Sequence, residues 1–332
     1  MNVRTLCIEL VTDAVFTRHS ATVGGNPSLG YLPGVVLLGV CAARCYDELG
    51  NAALGAFDLG AVRFGMGRPI DASGNGGLPV PLSWHKEKGR EQDSRVFDLS
   101  AGIRPAKIQL QQLRGMWVSK HPDGTWRSSA VKRNTSMRTA ISSSGAAREG
   151  VLYSFESLPA GTKFLSRISG QDSGTLSKFV DALTSSPIRV GRSRSAEFGE
   201  ARVTEVAAVD VGLRSTPASQ GKMAFLCVSD LALRDSCTGQ PRLWPNASDM
   251  GVPGWRLSES ASFWRTRRYT PFNAYRRRPD LERQVIEQGS VLVFVREAGA
   301  EEHALETVRS RLAGGVGEYR SAGLGEVIVE PE

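Results

Sequence analysis

Alternating apolar and polar positions in VRTLCIELV (3–11) predict a first strand. A long polar loop, TDAVFTRHSATVGGNPSLGYLPG, separates it from VVLLGVCAARCYDEL, an apolar run that reads as a helix from about Gly34 to Gly50. Residues 61–64 suit another strand, and glycine and proline density marks 65–89 as loop. Between about 90 and 147 the periodicity fades, and the polar, basic RNTSMRTAISSSGAAR predicts an extended insertion or flap. Order returns in VLYSFESLPAGTKFLSRIS, two strand-like runs around LPAGT. Leu176, Phe179, Val180 and Leu183 then fall at i, i+3, i+4 and i+7, one apolar helical stripe that Pro187 ends. GLRSTPASQG reads as a linker. KMAFLCVSD opens a second half as a strand, 235–280 is irregular and rich in Pro, Trp and Arg, and GSVLVFV (289–295) is the clearest strand of the chain. A charged helix carrying Leu305, Val308 and Leu312 on one side precedes the final GGVGEYRSAGLGEVIVE.

That ending echoes the middle. Aligned without gaps, GRSRSAEFGEARV (191–203) and GEYRSAGLGEVIV (317–329) share Gly191/Gly317, Arg194/Arg320, Ser195/Ser321, Ala196/Ala322, Gly199/Gly325, Glu200/Glu326 and Val203/Val329. Each copy follows an amphipathic helix and precedes a strand, which argues for two related units. The order strand, helix, two strands, helix, glycine loop, strand is the β-α-β-β-α-β arrangement, two helices on one face of an antiparallel sheet with the other face open. The fold class is α+β, in tandem ferredoxin-like (RRM-like) units. The expected domains are 1–210, with an insertion at about 66–147, and 220–332, with an insertion at about 235–280. The first helix of the second half is hard to place in its irregular segment.

A chain of 332 residues is long enough for two cores, and its formal charge of +7 favours a polyanionic partner. It contains no apolar run of about 18 residues and no secretory leader pattern, which predicts a cytoplasmic protein without a membrane span. The five scattered cysteines, Cys7, Cys41, Cys45, Cys227 and Cys237, lack histidines at ligand spacing and read as reduced packing residues. No metal or cofactor is expected, since phosphate-loop, zinc-protease, paired-cysteine and nucleophile-elbow patterns are all missing.

The doubled glycine loop resembles the hallmark of the RAMP superfamily, the repeat-associated subunits of CRISPR-Cas effector complexes. GYLPGVVLLGVCAA is similar to that family's approach to its first helix. LPVPLSWHKEKG, NTSMRTAISSSGAAREGVLYSFESLPAGTKF and IEQGSVLVFV look like segments of the large Cas-five-type subunit of type III effectors, especially type III-D. The resemblance thins between about 90 and 130 and between 235 and 280. It implies a non-catalytic subunit that caps the 5′ repeat-derived handle of the guide RNA (crRNA). Its implied neighbours are the large Cas-ten-type subunit and the Cas-seven-type backbone, with target RNA met indirectly.

Candidate RNA-binding residues follow from charge and from the repeat. Glycines allow positive φ and close approach, and an adjacent arginine offers a donor fork suited to phosphate, so Gly191, Arg192, Ser193, Arg194 and Ser195, with Arg320 and Ser321, are candidate phosphodiester contacts. A tight turn with a solvated arginine is the plainer use of the same residues. VKRNTSMRT supplies Lys132, Arg133, Asn134 and Arg138, with Met137 able to wedge between bases. FWRTRRYTPFNAYRRR (263–278) interleaves Arg265, Arg267 and Arg268, then Arg276, Arg277 and Arg278, with Trp264, Tyr269, Phe272 and Tyr275; it suits RNA or a protein neighbour. In the first loop Arg18 and His19 stand where some RAMP endoribonucleases carry a catalytic histidine, so a nuclease that matures the guide, with His19 as base, is an alternative. A protein-protein scaffold is another.

Overall fold

The computed structural model describes residues 1–18, 27–71, 74–89, 95–102, 104–121, 123–141, 147–194, 197–207, 221–273 and 275–329. It divides into two compact units, Met1–Gly76 with Val131–Val209 and Tyr269–Glu282, and Gly77–Ala130 with Asp210–Arg268 and Arg283–Glu332. The segment 77–130, expected inside the first domain, thus clusters with the second, and the 269–282 segment clusters with the first. The linker read from GLRSTPASQG lies outside the described residues, apart from Gly221.

The first unit is built on β1 (Asn2–Leu10), α1 (Gly34–Leu49), β2 (Val62–Phe64), β3 (Lys163–Gly170), α2 (Ser173–Thr184) and β4 (Glu200–Val206). Its sheet runs β4–β1–β3–β2 with every neighbour antiparallel, the ferredoxin-like order. Alternation along β1 sends Leu6, Ile8 and Leu10 into the core. There they meet Leu37, Val40, Cys41 and Cys45 from one face of α1, and Leu176, Phe179, Val180 and Leu183 of α2, the stripe the sequence predicts. α2 starts where the Asp172 carboxylate accepts hydrogen bonds from the amides of Gly174 and Thr175, 3.2 and 2.8 Å away. Phe57, Phe64 and Phe179 close the core as a cluster of rings with centroids 5.1–6.2 Å apart. A hairpin of Asn134–Ile141 and Ala147–Ser157 extends from this unit, in register from Asn134 opposite Ser157.

The second unit repeats the plan with β5 (Lys222–Cys227), β6 (Trp255–Leu257), β7 (Val291–Arg296), α3 (Leu305–Leu312) and β8 (Val327–Val329) in the order β8–β5–β7–β6. No helix stands between β5 and β6. Its place in the core is filled by Ala247, Met250 and Val252 from a turn in which Asn246 and Asp249 bond each other's backbone amides. The sheet face away from α3, expected to be open, is covered. Leu226, Val291 and Val293 lie on that face and are fully buried. Residues 77–130, in short strands such as Trp84–Glu87 and Trp117–Lys120, reach it: Lys222 Nζ donates to the Ser100 carbonyl at 2.6 Å, and the Leu82 amide to that of Gly289 at 2.8 Å. Such strands are too short to show a period in sequence.

All five cysteines are free thiols. Burial pushes the thiols of Cys41 and Cys227 upward, the latter to about 12, which fits packing rather than reactivity. Among the described residues no helix is long and apolar enough to cross a membrane.

Candidate nucleic-acid interface

Both glycine loops lie between the helix that precedes the last strand, α2 or α3, and that strand, and they are held alike. The Val190 amide donates to the Gly199 carbonyl and Val316 to Gly325, at 2.7 and 2.8 Å. Gly199 donates to Asp13 and Gly325 to Asp230; Arg192 donates to Val15 and Glu318 to Ala232. A Cβ on Gly199 or Gly325 would stand 1.9 Å from the carbonyl oxygen of Val190 or Val316, at φ values of 80° and 73°. These glycines are therefore demanded by the loop's own backbone, whatever ligand lies outside it. The amides of Arg192 and Gly199 are committed to the end of β1 and do not face outward.

The anchors at the end of β1 form a second echo, VTDAVF (11–16) against VSDLAL (228–233), which sequence reading missed because it shares only valine and aspartate by identity. The Asp13 carboxylate accepts from Asn134 Nδ2 (3.0 Å), Ser157 Oγ (2.8 Å) and the Ala160 amide (3.0 Å). Burial alone would raise its pKa, but these three bonds outweigh that and hold it below the usual carboxylate value. Asp230 accepts from the Gln288 amide at 3.0 Å and is ion-paired with Arg267, whose Nε lies 3.0 Å from Oδ2. Asn134, which is exposed, and Arg267, which is largely buried, both expected on RNA, thus bond the aspartates that hold the two loops. Arg265 likewise bonds Gln112 through its guanidinium. Among the described residues no three His, Cys, Asp or Glu side chains gather as metal ligands.

What faces solvent differs between the copies. In the first loop Arg192, Ser193 and Arg194 are exposed. The Arg192 guanidinium lies over the Phe155 ring, 5.4 Å from its centroid, while Arg194 makes no hydrogen bond or ion pair with described residues. Ser193 takes the left-handed backbone conformation at φ 54°. Ser195 and His19 lie outside the described residues, as does the side chain of Arg138, whose backbone sits in the hairpin strand. In the second loop Glu318 occupies the place of Arg192, and Tyr319 the left-handed place of Ser193. The buried Arg283 guanidinium stacks 4.0 Å from the Tyr319 ring centroid. Arg320 and Ser321 belong to the short 3-10 turn Arg320–Ala322, with Arg320 exposed. Between its framing glycines the first loop carries two arginines against Glu197; the second carries Arg320 against Glu318.

Around the first loop the fold assembles further cations that the sequence scatters. Arg133 pairs with Glu156 at 3.7 Å, and Glu156 also accepts from the Ser28 amide at 3.2 Å. Ser28 bridges to Thr17, beside the exposed Arg18, and Lys132 is exposed next to Arg133. Arg18, Lys132, Arg133, Arg192 and Arg194 therefore belong to segments tied to one end of the first sheet. Phe155 and Glu156 escaped sequence reading because neither lies in a basic run. Arg268 is exposed and separate from this group in sequence.

No family model and no curated protein matches the chain. Solved structures do. A chain of the cryo-EM structure of type III-B Cmr-beta bound to cognate target RNA and AMPPnP, state 1, aligns with a TM-score of 0.52 and 12% identity, over 87% of this chain and 86% of that one. At lower TM-scores stand type III-B Cmr-beta bound to cognate target RNA (0.49, 12% identity, 99% of each chain) and a RAMP protein binding different RNA substrates (0.39, 10% identity, 99% of each chain). The chain has a tandem ferredoxin-like α+β architecture and shares its fold with that Cmr-beta chain over most of its length.

Proposed function

We propose that this chain is a non-catalytic guide-RNA-binding subunit of a type III CRISPR-Cas effector, capping the 5′ handle beside the Cas-ten-type subunit and the first Cas-seven-type backbone subunit. The observation that carries this reading is the asymmetry of the two loops. They share one internal bracing, yet the first presents two exposed arginines at a sheet end that also gathers Arg18, Lys132 and Arg133. The first loop is the phosphate contact, and the second copy is a scaffold with one exposed arginine offset by Glu318.

Fluorescence anisotropy of a repeat-derived single-stranded RNA, titrated with the full chain across salt concentrations, tests this. Replacing Arg192 and Arg194 by alanine lowers affinity and reduces the slope of log K against log salt by about 0.7 for each phosphate that is no longer neutralised. An unchanged slope removes this loop from the interface. RNA recovered uncut after incubation with the wild-type chain supports the non-catalytic role. Cleavage abolished by His19→Ala overturns it in favour of the nuclease.

A further inference from the structure

The hairpin within residues 269–282 presents side chains that the fold itself does not use. Phe272–Asn273 pairs with Arg278–Pro279, the Asn273 side-chain oxygen accepts from the Arg276 amide at 3.0 Å, and Arg277 takes a left-handed φ of 51°. At this tip Tyr275 is 96% exposed and Phe272 66% exposed. Among the described residues two other aromatic side chains are exposed, less fully, at 45% for Tyr46 and 50% for Trp244, and each has a ring partner. Tyr46 stacks on Phe57 at 5.8 Å, and Trp244 meets Trp264 edge-on at 5.3 Å. Tyr275 and Phe272 have no ring partner among the described residues. Arg276, Arg277 and Arg278 are exposed beside them, and none of their side chains forms an ion pair or hydrogen bond with described residues. The acidic groups of the hairpin, Asp280 and Glu282, lie beyond the second strand and not in the tip.

An aromatic ring standing in water next to three consecutive guanidiniums matches a ligand that alternates flat π surfaces with closely spaced negative charges. A duplex hides its base faces in the stack, so only an unpaired strand offers both. We infer that this tip is a base-stacking site for single-stranded RNA: an unstacked base lies on Tyr275, and Arg276 to Arg278 meet the phosphates on either side. The inference rests on the RNA-binding reading above and adds a second contact to it, on a different segment from the glycine loop.

The experiment compares full-length wild type with Tyr275→Ala, Tyr275→Phe and the Arg192→Ala/Arg194→Ala pair, by anisotropy on an unstructured single-stranded RNA, on the same backbone with abasic positions, and on a duplex. Thermal melting verifies that the exposed substitutions leave the fold intact. Tyr275→Ala is expected to weaken single-strand binding by about 5- to 150-fold, the range for removing one stacked base. Tyr275→Phe keeps the affinity, and the effect of Tyr275→Ala disappears on the abasic strand and on the duplex. If Tyr275→Ala binds the single strand like wild type while the loop variant is weakened, the hairpin site is refuted and the RNA-binding reading stands. An equal loss on duplex or abasic strand also refutes stacking. If wild type binds no RNA at all, both readings fall together.

Discussion

Arg267 belongs to the most conspicuous basic run of the chain, yet the structure gives it an internal task, and its replacement separates the two roles. Its guanidinium is ion-paired with Asp230, and the two side chains are 11% and 5% exposed. Arg267→Ala leaves the Asp230 carboxylate buried, with the Gln288 backbone amide still donating to it. Removing one partner of a buried pair costs about 3–5 kcal/mol, because the other charge stays out of water without its counter-charge. At roughly 2–4 °C per kcal/mol for a unit of this size, the melting midpoint of the second unit falls by about 6–20 °C. Differential scanning calorimetry of the full chain reads this directly. Arg267→Met combined with Asp230→Asn recovers much of the loss, since neither residue then carries a buried charge, and the cycle of single and double variants isolates the coupling. RNA affinity measured well below the midpoint stays near wild type. An unchanged midpoint together with weakened RNA binding would refute this reasoning and return Arg267 to the RNA surface.

Gly199→Ala and Gly325→Ala each place a methyl group against a backbone carbonyl at positive φ, so each is expected to lower stability in urea unfolding by more than about 1 kcal/mol, with an equal effect in the two units despite their different surfaces. Acid stability follows from the depressed carboxyls. Hydrogen bonds hold Asp172 low through Thr175 and Gly174, Asp235 low through Thr238 and Cys237, and Asp13 low against its partial burial. Their folded values lie below the unfolded value of about 3.9, so their stabilisation is complete above that pH and is lost as pH falls through the folded values. Midpoints recorded from pH 6 downward should be flat at first and fall below about pH 4. Asp13→Asn should shrink the acid-dependent part.

Much of the architecture was legible. The stripe Leu176, Phe179, Val180 and Leu183 is the buried face of α2, the run at 289–295 covers all of β7 but its last residue, and the glycine echo marks two loops anchored by matching hydrogen bonds. These features rest on periodicity or on repetition over many residues, and both survive in a single sequence. The missing first helix of the second unit left no such trace, because Ala247, Met250 and Val252 fill its place from a turn. The attachment of 77–130 to the second unit depends on contacts such as Lys222 to Ser100, which join residues far apart in the chain. Of the candidate site, the sequence names Arg192, Arg194, Lys132 and Arg18, which are exposed, whereas the pairing of Asn134 and Arg267 with Asp13 and Asp230 involves partners that no local pattern reveals. Basic runs record charge, and only the fold tells which charges are already neutralised.

RNA contact by the first glycine loop is read most directly by photo-crosslinking of the full chain to a repeat-derived RNA bearing 4-thiouridine, followed by mass spectrometry of the linked peptides. Crosslinks are expected in the peptide that contains Arg192 and Arg194, and in none that contains Arg320. Crosslinks confined to the Arg320 peptide, or absent from both loops under conditions where the RNA is bound, would contradict that contact.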